Sequence, residues 1–198
     1  MRGRLITIEG LDGAGKTTLC QGLAEALPDA RLLREPGGVE LSERIRELVK
    51  DPGLEVDPRA EALLYAAARA QLVATLVEPL LEAGTTVLLD RFVDSSLAYQ
   101  GAGRGLGVDA VRAINDFGTG GLVPDLTLLL RIDPAVGRAR QDDRGEAPDR
   151  LELAGAPFFE AIARAYDDLA AAEPQRFRVL DGAAPPDAVL AAALEAVR

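Results

Sequence analysis

The stretch "LITIEGLDGAGKTTLCQGLAEAL" (residues 5–27) runs from a short apolar segment through a glycine-rich turn into a helical pattern. Within it, "GLDGAGKT" (10–17) fits G-x-x-x-x-G-K-[ST] between a strand and a helix, the context that motif requires. Glycines let successive backbone N–H groups turn inward as an anion nest. The helix that follows adds the positive end of its dipole. Such a loop holds the phosphates of a nucleotide with Gly10, Leu11, Asp12, Gly13, Ala14 and Gly15. Lys16 reaches the β- and γ-phosphates, and Thr17, with Thr18 beside it, supplies a hard oxygen for Mg²⁺.

Working outward, the same alternation recurs. Apolar or β-branched runs at 5–9, 31–34, 86–90, 126–132 and 177–180 predict strands. Helical patterns lie between and after them, at 16–27, 39–50, 58–82, 108–117, 134–142, 157–172 and 185–197, several with proline in the first turn. Continuous apolar strands separated by helices predict an α/β, three-layer, doubly wound fold with a five-stranded parallel sheet covered on both faces. Ligands of such sheets bind beyond the carboxyl ends of the strands. There the chain places "GLDGAGKT", "EPGG", "DRF" and "DGAAPP".

Composition bounds the function. The chain has 198 residues, a net charge of −10, one cysteine and no histidine. It is expected to form a single domain over 1–198. A broad basic surface is missing, which argues against a nucleic acid polymer as partner but not against a nucleotide. Disulfide frameworks within one chain and histidine-based catalysis are excluded. Cys20 reads as a small buried hydrophobe. The N-terminal apolar run ends at Glu9, too early for a signal peptide, and nothing approaches the length of a membrane span; a cytoplasmic protein with no membrane partner is expected. The chain carries no NKxD signature of a guanine-specific switch, which leaves kinases of small acceptors ahead.

A second set of residues calls for an acceptor. Asp90 ends the apolar run "TTVLLD" and is the candidate second metal ligand; Asp133, before Pro134, is the rival and also suits a helix cap. Arg91 offers a bidentate fork for the transferring phosphate, or a salt bridge to Asp90 or Glu35. Tyr65 and Arg69, four apart on a helix, share a face. Together they could sandwich a planar base, or form a surface cation–π pair. Tyr99 and Gln100 add a ring and an amide that both donates and accepts.

In that order, "IEGLDGAGKTT", "REPGG", "YAAARAQ", "DRFVDSSLAYQGAGRG" and "PDLTLLL" resemble the bacterial thymidylate kinase family over most of the chain. The resemblance implies the nucleoside-monophosphate-kinase fold, ATP with Mg²⁺ as donor, dTMP as acceptor and a homodimer packed through helices. It implies that Tyr65 stacks on thymine, Arg69 reads a base carbonyl and Gln100 lies near the base. Tyr99 would crowd the sugar 2′ position, and Asp12 would lie near the 3′-hydroxyl and the metal. Arg46 and Arg91 would hold the acceptor phosphate, with the turn at Glu35 and Pro36 lining it and Ser96 in the wall. Gly13, with Ala14 after it, stands where some members carry a basic residue, so the missing charge is expected from a lid, "RARQDDRGEAPDR" (138–150). The resemblance puts Arg138 against adenine and lid arginines on the transferring phosphate; Arg144 and Arg150 are the expected pair, with Arg140 next. Gly101, Gly103 and Gly105 are read as turning the chain close to the ligand, and Arg104 as either a ligand group or part of the lid.

Overall fold

Strand register is what assembles the site. The computed structural model describes residues 1–143, 145 and 149–198. Strands β1 (Leu5–Gly10), β2 (Arg31–Arg34), β3 (Val87–Asp90), β4 (Leu126–Arg131) and β5 (Phe177–Asp181) form one sheet in the order β2-β3-β1-β4-β5. All neighbours are parallel, with Ile8 and Arg34 opposite Asp90, Gly10 opposite Leu130 and Arg131 opposite Asp181. The carboxyl ends of all five strands therefore meet along one edge, where the loops after β1 and β3 are adjacent although 80 residues separate Gly10 from Asp90.

The helices are α1 (Lys16–Ala26), α2 (Glu40–Lys50), α3 (Pro58–Leu72), α4 (Glu78–Glu82), α5 (Val93–Ser96), α6 (Val108–Thr119), α7 (Pro134–Asp142), α8 (Ala156–Ala172) and α9 (Pro186–Val197). One core, including Ile8, Leu88, Leu128, Leu23 and Ile162, fills one side of the sheet. A second, including Leu5, Leu89, Val87, Leu72 and Leu81, fills the other. Both faces of each central strand are thus buried, which is why those strands are apolar without alternation. Cys20 is buried, as its helical setting suggested. Asp133 caps α7, its Oδ1 accepting from Ala135 N at 2.8 Å, so the rival metal ligand is occupied as a cap.

Two expectations need correction. The helix at 58–82 is one continuous rod, α3 joined to α4 by a π-helical turn at Val73–Val77. Pro79 lacks the N–H that residue 75 would bond, and its ring crowds that carbonyl; widening the preceding turn accommodates both. At 25 residues, with a mean hydropathy of 1.3 over an 18-residue window, this rod is long and apolar enough to cross a membrane by length and composition alone, against the expectation that nothing approaches that length. It carries buried Glu61 and Arg69 and packs as a core helix of the sheet's cover.

The second correction lies at 93–103, which the strand and helix patterns leave unassigned and where Gly101 and Gly103 are expected to turn the chain close to the ligand. It is helical: α5 runs directly into a π-helical segment, Leu97–Gly103. A strand residue supplies its start, Glu9 Oε1 accepting from Phe92 N at 2.7 Å and from Ser95 N at 3.3 Å. Its glycines serve packing rather than a ligand: a Cβ at Gly103 would fall 2.7 Å from the Phe158 ring on α8, and one at Gly101 would fall 3.1 Å from Val108 Cα on α6. Of the three, only Gly105 (φ +68°) makes a turn.

Candidate active site

Above the strand ends lies a cavity of about 410 Å³. Its phosphate end is the loop after β1. Lys16 is buried, and its ammonium donates to the loop's own carbonyls, Gly10 O at 3.2 Å and Leu11 O at 2.8 Å. It thus stands braced across the nest, with Thr17 and Thr18 lining the cavity beside it. Burial, followed by the Arg91 charge, holds its pKa below the usual lysine value, while Asp12, Asp90 and Glu9 oppose that shift. Gly13 (φ +80°) admits no side chain: a Cβ there would lie 2.2 Å from the backbone oxygen of Gly137 in α7. Arg140, further along α7, lines the cavity and donates to Gly182 O at 2.9 Å and Gly13 O at 3.4 Å. The loop, α7 and the turn after β5 are thereby joined.

At mid-cavity stands Arg91, the one non-glycine residue with positive φ (+70°) among the described residues. That conformation costs an L-residue roughly 1–2 kcal/mol. Its N–H to Ile8 O, at 3.0 Å, and the Glu9 bond to Phe92 hold it there. The guanidinium donates to Asp12 Oδ1 at 2.5 Å, Tyr99 Oη at 3.1 Å, Ser95 Oγ at 2.9 Å and Gly10 O at 3.2 Å, and it lies over the Tyr99 ring. Its partner is thus Asp12, not Asp90 or Glu35. Burial pushes the Asp12 carboxyl up, but Arg91 and then Lys16 more than offset it and leave it well below the usual carboxylate range. Tyr99 also donates to Asp12 Oδ2 at 2.9 Å. Arg91, Asp12, Lys16 and Tyr99 form one charged cluster spanning the middle of the cavity.

The far end is lined by Tyr65, Arg69, Ser96 and Gln100, with Arg46, Glu35 and Pro36 on the adjoining wall. Arg69 is buried and stacks on Phe92 rather than forming a surface pair with Tyr65. It donates to Glu35 Oε2 at 2.7 Å, Ser96 Oγ at 2.9 Å, Phe92 O at 2.9 Å and Asn115 Oδ1, which leaves one N–H on Nη2. Arg46 is anchored by Pro36 O at 3.0 Å, across a cis Glu35–Pro36 peptide bond.

Two buried acids that the residue pattern did not single out tie the cavity to the fold. Glu61 is fully buried, accepts from Gln100 and Arg104, and forms an ion pair with Arg150 at 2.7 Å. Arg104 is therefore neither a ligand group nor part of the lid. Glu9 receives Ser95 Oγ at 2.5 Å and Tyr166 Oη at 2.9 Å besides the backbone of Phe92. Burial, followed by the Asp94 charge, pushes the Glu9 carboxyl up from 4.5 to about 7. Because the folded state binds this proton more tightly than the unfolded chain, the contribution is complete below pH 4.5 and is lost as pH rises through about 7. Stability should therefore fall between pH 5 and 8 by about 2 kcal/mol from this group. Glu9→Gln should flatten that slope in thermal melts across the same range; an unchanged slope would refute the assignment.

Nearly every residue expected at the site is brought together here. Gly10, Leu11 and Ala14 form the loop's backbone. Arg138 does not line the cavity; it is exposed, pairing with Asp142 at 3.3 Å and donating to Glu152 O at 2.9 Å. Arg150 sits at the Glu61 end, donating to Val49 O at 3.0 Å, away from the phosphate loop. Arg144 lies outside the described residues.

The residues present fit Mg²⁺. Asp90 Oδ1 is buried without a hydrogen-bond partner among the described residues, and both Asp90 and Thr17 line the cavity. No cluster of three or more acidic, cysteine or histidine side chains that could hold a metal occurs among the described residues, which matches an ion held largely by phosphate and water.

A thymidylate kinase family model matches residues 8–193. A thymidylate kinase of Deinococcus radiodurans is 52% identical over 94% of this chain and 92% of its own length. One from Lactobacillus delbrueckii subsp. bulgaricus is 45% identical over 100% and 97%. The crystal structure of a thymidylate kinase from Ehrlichia chaffeensis superposes with a TM-score of 0.82 at 28% identity, covering 100% of this chain and 99% of that one.

Proposed function

Since the chain belongs to the thymidylate kinase family and phosphorylates dTMP to dTDP with ATP as donor, we propose that the two ends of its cavity divide the two nucleotides between them. The observation that carries this division is the Arg91 guanidinium, linked through Asp12 to the phosphate loop and through Tyr99 to the base end. ATP takes the loop of Gly10–Thr18 with Lys16 on its outer phosphates. Tyr65, Arg69 and Gln100 take thymine, Tyr99 and Asp12 the sugar, and Arg46 and Arg91 the acceptor phosphate, with Glu35, Pro36 and Ser96 as wall.

Thr17 and Asp90 would hold Mg²⁺, which when bound neutralises charge on the donor phosphates. The acceptor is already an anionic oxygen, so no strong general base is needed, in keeping with a chain without histidine. What remains is to bring two anions together in line and keep water out. Lys16 and Arg91 flank the meeting point, and residues 138–150 act as a lid on a single P-loop kinase domain spanning 1–198. Arg140 already reaches the loop; Arg144, Arg150 and Arg138 would have to approach as the lid closes.

Exposed apolar side chains on α2, α3 and α6, among them Leu41, Leu63 and Phe117, support a homodimer packed through these helices. The net charge of −10 supports small nucleotides rather than a nucleic acid polymer or an anionic membrane as partners, in the cytoplasm. A coupled ADP assay across dTMP, dUMP, UMP, dCMP and thymidine tests the substrate assignment. ADP formation should depend on added acceptor and be greatest with dTMP. ATP hydrolysis indifferent to dTMP would overturn it.

A further inference from the structure

We propose that Glu61 is a positioning residue that fixes the side-chain amide of Gln100 and thereby sets which pyrimidine the cavity accepts; this rests on the substrate assignment above. An amide can present either its oxygen or its nitrogen to a ligand, and the two choices suit opposite base edges. Here the choice is made from behind. Gln100 Nε2 donates to Glu61 Oε1 at 2.9 Å. Among the described residues the other polar groups at that carboxylate are cationic: Arg104 donates from Nε at 3.2 Å to both oxygens and from Nη2 at 3.0 Å to Oε2, and Arg150 Nη2 lies 2.7 Å from Oε2 as an ion pair. A fully buried carboxylate among two guanidinium groups acts as an acceptor, so the nitrogen end of Gln100 must face it.

The consequence appears on the other side. Gln100 Oε1 has no hydrogen-bond partner among the described residues, and it is not sealed off from the cavity that Gln100 lines. The base end therefore offers a fixed acceptor from Gln100 beside a donor, the remaining N–H of Arg69. Thymine and uracil present a carbonyl acceptor next to the N3–H donor, which matches both. Cytosine presents an amino donor next to the N3 acceptor, which opposes both. A site built to bond polar groups rejects the mispaired analogue strongly, because its own buried groups are left unpaired. Glu61 itself need not touch the base. If it stops holding Nε2, the amide is free to turn and one half of the discrimination is lost, while Arg69 retains the other half.

The test compares kcat/KM for dTMP and dCMP, with ATP as donor, in wild type, Glu61→Gln and Glu61→Asp. Glutamine at 61 can donate to the Gln100 oxygen and permit the turned amide. Aspartate keeps the charge for Arg104 and Arg150 but withdraws the acceptor, and it decides the matter if the glutamine variant does not fold. The dTMP-to-dCMP ratio should fall at least tenfold. In a Gln100→Met background the same change at Glu61 should leave the ratio unaltered. A loss that is equal for both substrates, with the ratio intact, would show a merely structural role and overturn the inference while leaving the substrate assignment standing. Wild-type protein that uses dCMP as well as dTMP would overturn both.

Discussion

Arg91→Ala is expected to lower kcat by about 10³-fold with the fold intact, because it removes a preorganised cation from the point where two phosphates must meet. The guanidinium is held on five sides by groups that do not depend on substrate: the Asp12 carboxylate, the Tyr99 hydroxyl and ring, Ser95 Oγ and Gly10 O. Such a group needs no reorganisation when charge develops, so its loss should fall on turnover more than on binding of ATP. Stability should fall modestly, because Asp12 loses the foremost of the cations that hold its carboxyl below the usual range. Asp12 would keep the Tyr99 hydroxyl at 2.9 Å and Lys16 at 3.7 Å, and alanine inherits the same positive φ rather than relieving it. Steady-state kinetics beside a thermal melt separate the two. Near-normal turnover in a folded variant would end the proposed role.

Arg69→Ala should act in the opposite sense, on the fold before the chemistry. Arg69 and Glu35 are 2% and 3% exposed in their side chains, 2.7 Å apart, and Asn115, Ser96 and Phe92 O also converge on the guanidinium. Deleting it strands a buried carboxylate and several acceptors, a defect that typically costs about 3–5 kcal/mol. For a chain of this length that corresponds to a melting temperature lower by about 10 °C or more. Adding Glu35→Gln should recover part of the loss by removing the stranded charge. An arginine that served only to read a base would leave the melting temperature unchanged, and that result would refute the structural role.

Much of the architecture is legible because its signals are local. The loop at 10–17 carries its own context, and the five strands announce themselves as apolar runs because both faces are covered. Site residues adjoining a strand end or sharing a helix face, such as Lys16, Arg91 and the Tyr65–Arg69 pair, could be found in the same way. What was missed depends on partners far along the chain. Glu61 reads as an ordinary acid in an early helical turn until the fold brings Gln100, Arg104 and Arg150 to it. Glu9 sits among apolar neighbours, and its role as cap for α5 needs a chain segment 83 residues away. The helix at 93–103 eluded the pattern for a related reason: its glycines weaken helix propensity, and the packing of α6 and α8 that favours them is invisible locally.

The close approach of Gly13 to Gly137 bears on how this enzyme could change over evolutionary time. If a lid supplies the catalytic cation as proposed, moving that charge into the phosphate loop would require a side chain at position 13, where the backbone of α7 already occupies the space. Such a residue would also meet a positive φ. A single step to arginine or lysine there would damage the loop before it conferred any benefit, so the path must first displace α7. The two ways of supplying the charge are thus separated by a valley, and the mutual fit of two glycines is one of its walls.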